Sequence, residues 1–229
     1  MKKIVSLALV LVLCLSMLAS CSDKKAIEKV AEMYENSAPT KVVSTTVQTV
    51  GQQVLTSRYS LTTGNIGSLK AAIYEEDYSE MRTVENGGLT DIIYGPISTE
   101  PRIYQYIEGK GTRTIHKETG NVIVDWTLEG KAYVIDKGEM AMTLTKKLIE
   151  NVEYENHVFS FTVPAENTAR VFGVANNLPV DASVRITDNG AEIISVHIEY
   201  TVPADGTVPE NHVVIDIEYT YNINRITIE

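Results

Sequence analysis

The side chains best suited to metal or acid–base chemistry are His116, His157, His197 and His212, and no two stand at the spacing of a helical or loop metal site. Adjacent strands can still bring two together, but His197 falls on the polar face of an alternating run, where a solvated histidine is expected. Glu75-Glu76-Asp77 with Glu80 is the densest acidic run. Paired carboxylates can cleave glycosides or bind calcium, yet the run lies between two short predicted strands and reads as a solvated hairpin tip. There is no Gly-x-Ser-x-Gly, phosphate loop, dinucleotide fingerprint or EF-hand. With no catalytic residue and no metal ligand set to assign, the expectation is a protein that is not an enzyme and uses no cofactor.

The two cysteines point elsewhere. Cys14 and Cys21 both precede the body of the chain, so neither a disulfide framework nor a cysteine metal cluster is available to it. Lys2-Lys3 and the apolar run from Ile4 to Leu18 are too short for a membrane span and suit an export signal. That run ends in Leu18-Ala19-Ser20-Cys21, which resembles the bacterial lipobox. The resemblance implies a signal peptide over 1–20, a diacylglyceryl anchor on Cys21 as the first mature residue and a tether over 21–24; the rest, with no linker-like segment or repeat, reads as one domain over 25–229. The domain is then extracytoplasmic and held to a bacterial membrane by acyl chains.

Of 229 residues, 44% are hydrophobic and 22% charged, a globular composition. The formal net charge is -10, and without Lys2 and Lys3 the mature chain carries 18 basic against 30 acidic residues. Such a surface repels phosphate backbones and anionic headgroups, so no nucleic acid is expected as a partner and the domain body is not drawn onto the bilayer.

Ile27, Val30, Ala31 and Tyr34 recur at helical steps over 25–37, and Asn36 to Pro39 ends that helix. Period-two runs follow at 41–50, 53–63, 69–76, 78–85, 89–94, 103–108, 111–116 and 122–128, with short Gly/Asn turns that demand antiparallel pairing. The stretch 129–156 fits strand or helix equally. After a strand at 158–163, Pro164 opens a helix predicted over 165–176, with Ala169 and Phe172 on its buried side. Asp188-Asn189-Gly190 predicts a type I′ hairpin, and two strongly alternating strands close the chain, Ile194 to Val202 and Val213 to Ile223.

These elements make an α+β domain: a single large curved antiparallel sheet, a half-barrel, covered on its concave face by the N-terminal helix and a second helix. An exported lipoprotein built this way resembles the LolA/LppX/LprG-type half-barrel superfamily. The resemblance rests on the helix Ala26 to Tyr34, the segment Val163-Pro164-Ala165-Glu166-Asn167 and the closing Ile215-Asp216-Ile217-Glu218-Tyr219-Thr220-Tyr221. It implies an apolar cavity that in several members holds an acyl chain or lipidated cargo, while other members bind proteins.

The candidate apolar ligand face consists of Ile27, Val30 and Tyr34 from the helix with Val196, Ile198, Tyr200, Ile215, Ile217 and Tyr219 from the last two strands. Ordinary core packing is the other use of the same residues. Two functions follow: carriage of a lipid or other apolar ligand in the half-barrel, or a non-enzymatic interaction module assisting a cell-wall enzyme or receptor at the envelope.

Overall fold

The computed structural model describes residues 23–51, 53–84, 88–94, 102–128, 133 and 142–228, with backbone alone for 78–84 and 88–94. The expected signal segment and Cys21 lie outside these residues. Among them no helix is long and apolar enough to cross a membrane.

The first helix, α1, spans 23–36. Its apolar stripe, Ile27, Val30, Met33 and Tyr34, is buried, and it stops where Ser37 donates its N–H back to the carbonyls of Met33 and Tyr34. Among the described residues twelve strands follow: β1 (Lys41–Val50), β2 (Gln53–Ile66), β3 (Leu69–Val84), β4 (Gly88–Tyr94), β5 (Arg102–Ile107), β6 (Gly111–His116), β7 (Val122–Thr127), β8 (Glu150–Glu155), β9 (Val158–Val163), β10 (Ala182–Asp188), β11 (Ile193–Val202) and β12 (Asn211–Thr220). Eleven lie side by side in the order β7-β6-β5-β3-β2-β1-β12-β11-β10-β9-β8, and β4 pairs the far end of β3. Two antiparallel meanders, β1 to β7 and β8 to β12, thus join at a seam running from Lys41↔Thr220 to Val50↔Asn211. The result is the open, curved half-barrel expected, its outer strands β7 and β8 unpaired with each other.

β7 and β8 are opposite edges, and the connection between them is termed the crossing. Its described points lie on the concave face: Tyr133 stacks on Tyr74, Leu144, Leu148 and Ile149 are buried in the core, and Thr143 donates its N–H to the Val171 carbonyl. This crossing is a third cover beside the two helices and resolves part of the stretch that fits either strand or helix.

The apolar core occupies one side of the sheet. Phe159, Phe161, Val163, Val184, Ile186, Ile193 and Val196 are buried beneath α1, the crossing and the second helix. At roughly 1.5–3 kcal/mol for each fully buried side chain of this size, these residues dominate the stability of the β8–β12 half. Buried residues of β1–β6 are instead mostly small or polar: Ser44, Ser60, Ala71, Ala72, Gln105, Thr112 and Thr114, with Val42 and Ile107.

Five expectations are corrected. The second helix is shorter, a 3-10 turn at Ala165–Asn167 followed by α2 (Thr168–Phe172), because Gly173 adopts a left-handed φ of 67° and ends it. Its fully buried residues are Thr168 and Val171; Thr168 turns inward because its hydroxyl both donates to the Ala165 carbonyl and accepts the Leu178 N–H. The runs 69–76 and 78–85 form one strand, β3, so the acidic run is mid-strand: Lys117 binds Asp77 at 2.6 Å and Glu75 at 3.3 Å, and Arg58 lies opposite Asp77. The β10–β11 loop spans residues 189–192, wider than a two-residue turn. There Asn189 Oδ1 accepts the Ala191 and Glu192 N–H groups, and an irregularity at Ile194 returns Ile193, not Ile194, to the core.

Candidate functional site: a tyrosine belt on the concave face

Register decides which side chains share the concave face. Tyr219 and Ile217 of β12 lie opposite Val42 and Ser44 of β1, which lie opposite Leu61 and Tyr59 of β2. Tyr59 and Leu61 in turn face Glu76 and Tyr74 of β3, which face Arg102 and Tyr104 of β5. With Tyr34 from α1 and Tyr133 from the crossing, tyrosines run across the sheet from the apolar core to the opposite half. Small Ser44 of β1 is buried between Ile217 and Tyr59 in the register.

The rings touch. Tyr74 and Tyr133 stack at 5.1 Å between centroids with 9° between planes, Tyr104 lies 5.9 Å from both, and Tyr59 lies 6.4 Å from Tyr74. Tyr59 is 42% exposed, so the platform ends in open space. Burial, with the Glu76 carboxylate that accepts its hydroxyl proton at 3.4 Å, pushes the Tyr74 phenol up to about 12. Burial also raises Tyr219 and Tyr34, each disfavoured further by a neighbouring tyrosine, so every member of the belt that is shifted remains a neutral hydroxyl at physiological pH. The Tyr34 hydroxyl is buried without a hydrogen-bond partner, whereas Tyr221 donates to the Ile193 carbonyl at 2.6 Å.

The face nominated from sequence occupies the packed end of this belt. Ile27, Val30, Tyr34, Val196, Ile198 and Tyr219 are buried in one cluster, and Tyr200, Ile215 and Ile217 are partly buried against it. Tyr104 was legible as a strand tyrosine; Tyr59, Tyr74 and Tyr133 were not singled out, since only the cross-strand register and the crossing bring them together.

Two histidines do meet across strands, on the convex face. His197 Nδ1 is 2.7 Å from Asp216, and Glu199 sits between His197 and His212 at 3.5 and 3.6 Å. No group of three or more His, Cys, Asp or Glu among the described residues is placed to hold a metal ion. A cleft of about 280 Å³ between the start of α1 and β8 is lined by Asp23, Glu153 and Glu155 with Ala26, Val152 and Tyr154, an acidic lining unsuited to apolar cargo.

No protein-family model matches this chain, and no curated protein matches it. Two solved structures share an outline with it. One is a DUF1329 family protein from Desulfovibrio piger ATCC 29098, at 10% identity over 89% of this chain and 95% of that one, with a TM-score of 0.27. The other is a porin-like protein from Bacteroides uniformis ATCC 8492, at 10% identity over 79% of this chain and 96% of that one, with a TM-score of 0.21. Both scores are low, so the half-barrel is established by this chain's own strand pairing and not by either likeness.

Proposed function

We propose that this is a lipoprotein, anchored through diacylglyceryl Cys21 outside the cytoplasm, that carries a lipid or another apolar molecule in its half-barrel without catalysing a reaction. The tyrosine belt carries the reading: aromatic faces continue the concave surface beyond the end of the apolar core, and their hydroxyls tolerate water when the site is empty. Membership of the LolA/LppX/LprG-type superfamily belongs to the same proposal and rests on the helix, meander and closing strands. Asp23, at the start of α1, lines a cleft with β8, the edge strand opposite β7.

The test is native mass spectrometry of residues 22–229 purified without detergent, then denaturing extraction of whatever co-migrates. A stoichiometric lipid is the expected result. A clean apo mass, with no saturable binding of an apolar dye afterwards, overturns carriage.

One observation favours the second reading, an interaction module. Among the described residues β7 is an edge strand, and it exposes Val122 and Val124, each at 47%, with Leu128 beyond it at 76%. Such an edge can accept a strand from a partner. Cross-linking from a cysteine placed at Val124 that captures an envelope protein, together with the clean apo mass, would establish this function instead.

A further inference from the structure

Arg102 stands at the outer end of the belt. It faces Glu76 on one side and His116 on the other, with Tyr104 two residues along the same strand. Glu76 is held along its own strand by Tyr74, and no ion pair joins it to Arg102 among the described residues. The Arg102 Nε is buried without a hydrogen-bond partner. A guanidinium donor left buried and unmatched is unfavourable, and a charged acceptor relieves it. His116 adds a second donor: its Nδ1 accepts the N–H groups of Glu118 and Thr119, which puts the ring proton of the neutral imidazole on Nε2.

We propose that Arg102 and His116 form the head-group subsite for an acyl ligand bearing a carboxylate, whose tail runs along the tyrosine belt toward Tyr219 and Ile217. The inference deepens the carriage reading and rests on it. β5 and β12 are four strand spacings apart, roughly 19 Å, the scale of a long acyl chain. Glu76 on the other flank opposes a second negative charge, so a singly charged carboxylate fits where a phosphomonoester does not. A net-acidic protein thereby takes an anion at a concave position whose guanidinium Nε is unmatched among the described residues.

The test uses the mature chain from residue 21 with Cys21→Ser, which retains every described element because α1 begins at residue 23. The wild-type sequence, R102Q and R102K are titrated with cis-parinaric acid and with its methyl ester at pH 7.5, with circular dichroism and denaturation midpoints verifying each fold. The expected wild-type preference for the acid is about tenfold, the worth of one charge-assisted pair, falling to about twofold or less in R102Q and surviving in part in R102K. Equal binding of acid and ester by wild type, or an unchanged preference in R102Q, overturns the subsite while leaving carriage standing. Failure of the wild type to bind either probe overturns both.

Discussion

Asp188 shows how one buried charge ties three elements together. Its side chain is 1% exposed, yet it lies within 2.9 Å of His157 Nδ1 and accepts the Tyr154 hydroxyl at 2.8 Å and the Gly190 N–H at 2.7 Å, while Lys29 of α1 donates to Tyr154. Burial alone would raise its pKa, but the hydrogen bonds from His157, Tyr154 and Gly190, with the Lys29 charge, outweigh it and hold the carboxyl below the ordinary carboxylate value. A depressed folded pKa means stability that is fully present above the unfolded value near 3.9 and is lost as pH falls through the folded one. D188A is therefore expected to cost about 2–4 kcal/mol at neutral pH by urea denaturation, and the difference should shrink below about pH 4. A constant difference from pH 7 to pH 3 would remove the carboxylate from that account. Tyr34 provides the contrast, since its hydroxyl is buried without a partner. Y34F should leave the denaturation midpoint unchanged or raise it, whereas Y221F, which strips the Ile193 carbonyl of its donor, should cost about 1 kcal/mol.

At the scale of elements, the turn before β6 carries the tightest backbone contact. A Cβ on Gly111 would stand 2.0 Å from the Thr127 carbonyl oxygen, and its φ of 87° is one that side chains rarely adopt. Because the clash is with backbone, no rotamer change relieves it, and β7 must move away from β6. G111A should cost more than about 2 kcal/mol and expose β7 to limited proteolysis, while G109A, at a φ of 80° with open space around it, should cost only about 1 kcal/mol. Equal effects would show that strain in φ, not the close approach, sets the cost. Elements with a local signal were legible in the sequence: α1 from its apolar stripe, β11 and β12 from their alternation, and the half-barrel from the count of short antiparallel strands. The extent of β3 was not, because Asp77 reads as a break until Arg58 of β2 and Lys117 of the turn after β6 are placed beside it. The same blindness hid the belt. Tyr59, Tyr74 and Tyr133 are ordinary strand and loop residues until register stacks them, and no local pattern marks Arg102 as unmatched.

Across the whole molecule, one continuous sheet joins two halves with unequal apolar cores. The β8–β12 half is sealed by α1, α2 and the crossing over a core of fully buried Phe159, Val163, Val184, Ile186 and Val196. The β2–β7 half carries small, polar and half-buried aromatic residues on its concave face, and hydrogen bonds alone, each worth about 1 kcal/mol net, hold a sheet weakly. Native-state hydrogen exchange should therefore show slow, globally opening amides in β9 to β12 and faster, sub-global opening in β2, β3, β5 and β6. The β1–β12 seam is the expected boundary, because its ten-residue register couples the weak half to the strong one. A ligand seated on Tyr59, Tyr74 and Tyr104 binds only the closed form of the weak half, so it should slow exchange there by the factor its free concentration over Kd dictates and leave β9 and β10 untouched. Uniform protection across both halves would mean that the sheet opens as one cooperative unit. In that case the loosely covered half does not open independently of the packed one.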